Sequence, residues 1–72
     1  MAYREQKELE AMEKAIHEAE AALAARHVDV ETAGTDHVRL KAACEALQSA
    51  QEEVDRLYRR WQELEALRDS SG

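Results

Sequence analysis

Three histidines, one cysteine, sixteen Asp or Glu and ten Lys or Arg are the side chains of this 72-residue chain that could do chemistry. His17, His27 and His37 are the obvious metal ligands, yet His17 opens the run His17-Glu18-Ala19-Glu20-Ala21 without the second histidine four residues on that a zinc protease helix needs. No Glu-x-x-His pair exists for a di-iron site either. No metal and no other cofactor is therefore expected. Cys44 has no second cysteine to bond, and beside the apolar position Ala43 it reads as a small, buried or half-buried thiol rather than a nucleophile. Carboxylates do acid–base work where a pocket desolvates them unequally. Those here fall on outward helix faces and no Gly-rich phosphate loop occurs, so the chain itself is not expected to be an enzyme.

The cations pose a sharper question. Arg56, Arg59 and Arg60 stand at i, i+3 and i+4, which puts them on one side of a helix. Arg4, Lys7 and Lys14 approach the same end if the chain folds back on itself. A net-negative rod can then carry a positive end that meets nucleic-acid phosphates, although Glu5, Glu8, Asp55 and Glu63 dilute it. Tyr3, Tyr58 and Trp61 gather there too, and an aromatic beside arginines can stack on an unpaired base. Trp61 falls on a core position, so Tyr58 is the better contact. The candidate nucleic-acid-binding residues are Arg4, Lys7, Lys14, Arg56, Tyr58, Arg59 and Arg60. They would hold DNA or RNA through its phosphates, weakly and by structure, because nothing here reads bases. The competing reading is a solvated face of salt bridges.

Two helices must position these groups. Zero Pro, two Gly and a predominance of Ala, Glu, Leu, Arg and Gln are the composition of long helices, and fourteen of the apolar residues are Ala, too small to fill a globular core. Bulkier residues recur at alternating three- and four-residue steps, first at Leu9, Met12, Ile16, Ala19, Leu23, Arg26 and Val30, then at Leu40, Ala43, Leu47, Ala50, Val54, Leu57, Trp61 and Leu64. Between the two series, Gly34-Thr35-Asp36 reads as a turn followed by an N-cap, and Asp29 as the cap of a short extra turn. The expected fold is all-α, a two-helix antiparallel coiled-coil hairpin spanning 1–72. Helix 1 is expected over about 3–28, a loop over about 29–35 and helix 2 over about 36–68, with a frayed tail from Asp69.

The simplest register sets Leu9 against Trp61, Ile16 against Val54, Leu23 against Leu47 and Val30 against Leu40. Met12 then meets Leu57, Ala19 meets Ala50 and Arg26 meets Ala43, with Tyr3 and Leu67 closing the open end. The facing Ala19 and Ala50 predict a weak waist. Pairs at i, i+4 are expected between Glu10 and Lys14, Glu52 and Arg56, and Asp55 and Arg59. With a charge of -6, no apolar run longer than Ala21 to Ala25 and no signal-like N-terminus, the chain is expected to be a cytoplasmic monomer that neither spans a membrane nor is exported.

Two segments carry a family resemblance, Tyr3-Arg4-Glu5-Gln6-Lys7-Glu8-Leu9-Glu10 and Leu57-Tyr58-Arg59-Arg60-Trp61-Gln62-Glu63-Leu64-Glu65. Together they resemble the two ends of the C-terminal coiled-coil domain of ABC-F ATPases, the Uup-like group, over nearly the whole chain. The resemblance implies a domain of a larger two-cassette ATPase that lacks a membrane domain and works on ribosomes or DNA. It also implies that the hairpin binds DNA. The closing segment supplies Tyr58, Arg59 and Trp61 and the opening segment Tyr3, Gln6, Glu8 and Leu9, while Arg56 and Arg60 rest on charge geometry. A second class of function, favoured by the acidic bulk charge, is an arm that docks on the parent's cassettes or on the ribosome.

Overall fold

In a computed structural model, which describes residues 2–71, two helices account for nearly all of the chain: α1, Tyr3–Ala33, and α2, His37–Ser71. They lie side by side in a rod of 53 × 15 × 14 Å. That length is close to what 35 helical residues of α2 occupy at about 1.5 Å each, so α2 alone sets the long dimension. The expected all-α hairpin is what the chain adopts.

The turn is shorter than the sequence suggests. Helix α1 continues through 29–33 instead of stopping near residue 28, because nothing in Asp29-Val30-Glu31-Thr32-Ala33 breaks a helix and Ala33 is buried against α2. Asp29 caps nothing; its carboxylate accepts the Arg26 Nε hydrogen at 2.8 Å inside the continuous helix. Gly34 ends α1 with φ 57°, a left-handed value that a side chain would strain. Asp36 then starts α2 as expected, its Oδ1 accepting from the backbone N–H of Val38 and Arg39, both at 3.1 Å. At the far end α2 runs on to Ser71, with the Ser70 hydroxyl donating to the Ala66 carbonyl at 2.9 Å, so Asp69 and Ser70 are helical rather than frayed.

The seam residues are those the periodicity names, but their partners differ. Arg60 with Glu8 and Tyr58 with Glu20 are hydrogen-bonded pairs that cross between the helices. Glu8 and Arg60 each precede a seam residue, whereas Glu20 and Tyr58 each follow one, so the pairs flank the seam on its two sides. Midway between them the facing residues are Leu9 and Leu64, Met12 and Trp61, Ile16 and Leu57, Ala19 and Val54. Toward the turn they are Leu23 and Ala50, Arg26 and Leu47, Val30 and Ala43, Ala33 and Leu40. The register is thus shifted along α2 by one seam position, three or four residues, from the simplest one. The physical reason is packing: in this register every seam alanine faces a larger side chain, and the Ala19–Ala50 waist disappears. Leu9, Ile16, Ala33, Val54, Leu57 and Leu64 form the buried core, Leu64 with no exposed surface at all. Tyr3 and Leu67 stay 76% and 44% exposed and do not form a closing layer.

Charged side chains also choose other partners. The expected i, i+4 pairs give way to i, i+3 pairs such as Arg56 with Glu53 and Arg60 with Glu63. Glutamines one turn earlier take two of the three carboxylates concerned, Gln51 donating to Asp55 at 3.0 Å and Gln48 to Glu52 at 3.5 Å, and Glu10 lies by Lys7 instead of Lys14.

Candidate nucleic-acid interface

Of the seven candidate residues, Arg60 is the most constrained. Its Nε and Nη2 donate to the two oxygens of Glu8 at 2.7 and 3.0 Å, and its Nη1 donates to Glu63 at 3.0 Å. Such a fork between helices is geometrically specific. The hydrogen bond from Arg60 holds the Glu8 carboxyl below its ordinary range, and the same bonds, to Glu8 first and Glu63 second, push the guanidinium pKa further up. Arg56 makes two hydrogen bonds to Glu53, at 2.6 and 3.1 Å, and lowers that carboxyl in the same way. Lys7 lies 3.9 Å from Glu10 and 5.5 Å from the centre of the Tyr3 ring. Arg4, Lys14 and Arg59 form no ion pair among the described residues.

The seven do not share one face. Arg56 and Arg60 lie on the flank of the Glu8–Arg60 bridge, with Arg59 next to them on the outside of α2. Arg4 belongs to that flank at the open end, level with Asp69. Lys7 and Lys14 sit on the outside of α1, and Lys14, level with Arg59, points away from it across the rod. Tyr58 lies on the other flank, its hydroxyl donating to Glu20 Oε1 at 2.9 Å, a bond that raises its pKa. A phosphate can therefore reach Arg56, Arg59 and Arg60 together, and the remaining four only separately.

The family model of the ABC transporter C-terminal domain matches residues 1–66, which takes in α1, the turn and α2 through Ala66. The chain belongs to that family. An ABC transporter C-terminal domain is the C-terminal part of an ABC-type ATP-binding protein, and this one carries no helix among the described residues long and apolar enough to cross a membrane. No curated protein and no solved structure matches the chain. The domain holds no group of three or more His, Cys, Asp and Glu able to bind a metal ion among its described residues. Cys44 is exposed rather than buried or half-buried, because its position follows the seam residue Ala43 and opens to the flank.

Sequence reasoning missed one feature of this domain. On the Tyr58 flank an open hollow of about 320 Å³ is lined by Glu13, Ile16, Tyr58 and Trp61. The two rings meet edge to face, with centroids 6.5 Å apart and planes at 83°. In the simplest register Ile16 and Trp61 stand two turns apart, so the hollow is invisible until the shift is known.

Proposed function

We propose that this hairpin is the nucleic-acid-binding arm of a cytoplasmic ABC-F ATP-binding protein that acts on DNA or ribosomes. The observation that carries the reading is Arg59, exposed on α2 with no carboxylate partner among the described residues, between Arg56 and Arg60 on the adjoining turn. A phosphate entering there meets one uncompensated cation and two whose carboxylates it must compete with. Binding is consequently weak, insensitive to sequence and steeply salt-dependent. The test is fluorescence anisotropy at low salt with single-stranded DNA, branched DNA and ribosomal RNA fragments. Arg59→Glu together with Arg56→Glu abolishes the shift while circular dichroism keeps its helical signal; unchanged binding refutes the assignment.

A second reading, an arm that docks on the parent ATPase cassettes, is favoured by the internal neutralisation of Arg56 and Arg60. Pull-down with the cassettes that survives the same two substitutions supports it.

A further inference from the structure

The charge of -6 is not spread evenly around the rod. On the flank that carries Tyr58, the exposed positions beside the seam hold Glu10, Glu13, Glu20, Asp55 and Asp69, with the half-buried Glu65 among them. Among the described residues at those positions Lys41 stands at the turn end, and from the seam Arg68 reaches onto the open end of this flank, where it pairs with Glu65 and lies beside Glu10 and Glu13. The opposite flank mixes Arg4, Arg39, Arg56 and Arg60 with its acids. Within the acidic flank the hollow between Glu13, Ile16, Tyr58 and Trp61 stands out for its walls as much as its charge. Its floor is aliphatic and aromatic. Among the described residues, Glu13 at its rim forms no ion pair with a Lys or Arg, and neither does the adjoining Glu20, which accepts the Tyr58 hydroxyl. The Tyr58–Glu20 bond and the edge-to-face rings hold the walls in place before any partner arrives.

From these features we infer that the hollow is the seat of an arginine from a basic protein segment, which lies along the acidic flank. Arginine suits it better than lysine does. A planar guanidinium stacks on an aromatic ring and forks onto a carboxylate at once, whereas an ammonium is a compact and strongly hydrated charge. Nucleic acid is repelled from the same flank, so this surface is separate from the Arg59 side and neither depends on the other.

Trp61 is the chain's one tryptophan, and it lines the hollow, so its fluorescence reports occupancy directly. The experiment titrates the 72-residue chain with a synthetic peptide helix bearing arginine at every fourth position, and with the same peptide bearing lysine. Trp61 emission changes on arginine-peptide binding, and the lysine peptide binds more weakly. Glu13→Gln alone weakens binding about fivefold, and so does Glu20→Gln alone, which keeps an acceptor for the Tyr58 hydroxyl. Glu18→Gln, an equal charge change on the other flank, and Arg59→Glu leave it within about twofold. The inference is overturned if Glu18→Gln weakens binding as much as Glu13→Gln, which would reduce the effect to bulk charge. It is equally overturned if Trp61 emission ignores the peptide, or if it answers to single-stranded DNA instead.

Discussion

The half of the rod next to the turn and the half at the open end are held together differently. At the open end large side chains meet, Leu9 with Leu64 and Ile16 with Leu57, and both cross-helix hydrogen-bonded pairs lie in that half. Next to the turn every layer contains an alanine or Arg26, Ala33 is the one buried residue there among those described, and an open furrow of about 530 Å³ floored by Ala42, Ala43 and Ala46 remains between the helices. The turn half is joined covalently and capped at Gly34 and Asp36, so a thin seam suffices. The open half has no such link and concentrates its burial and its charge-assisted bonds instead. Chain connectivity and side-chain burial thus substitute for one another along a single hairpin.

Truncating the open half should do the most damage. Leu64→Ala, at the most buried position, is expected to cost about 2–5 kcal/mol, enough to abolish cooperative thermal unfolding in so small a domain. Leu47→Ala, in the half-buried turn-side seam, should cost less than about 2 kcal/mol and leave a measurable transition. Equal losses would erase the distinction between the halves. Removing the turn's own support is next in size: Asp36→Ala leaves the Val38 and Arg39 N–H groups without their acceptor and should cost about 1 kcal/mol by chemical denaturation.

The smallest effect is the most specific. Arg60 depresses the Glu8 pKa, so the folded state releases this proton more readily than the unfolded one. Its contribution is present above the ordinary glutamate value, about 4.3, and is lost as pH falls through the folded value. Glu8→Gln should therefore melt below the parent near neutral pH, and the gap should narrow progressively as the pH falls below the ordinary glutamate range. A gap that persists there would show that Glu8 contributes packing rather than charge.

Much of this was legible in the sequence. The seam positions, the Asp36 cap and the two-helix fold follow from spacing and turn chemistry, which act locally. The register did not follow, because two pairings of the same seam differ only by a slide of one seam position. The choice between them rests on small-against-large complementarity at Ala19, Ala33, Ala43 and Ala50, and on flanking groups such as Glu8 and Tyr58. The individual arginines were legible as exposed cations, but not which carboxylate each would take. A long side chain can reach three or four residues along its helix or across to the other, and glutamines compete for the same oxygens. The hollow beside Trp61 was hidden for the register's reason.

Register is accordingly what the placement of every surface group rests on, and methyl nuclear Overhauser spectroscopy measures it directly. The structure requires cross-peaks from the Ala19 methyl to Val54 and from Leu9 to Leu64, and none between the Ala19 and Ala50 methyls. A strong Ala19–Ala50 cross-peak, with Leu23 facing Leu47, would contradict the pairing and with it the hollow and the acidic flank.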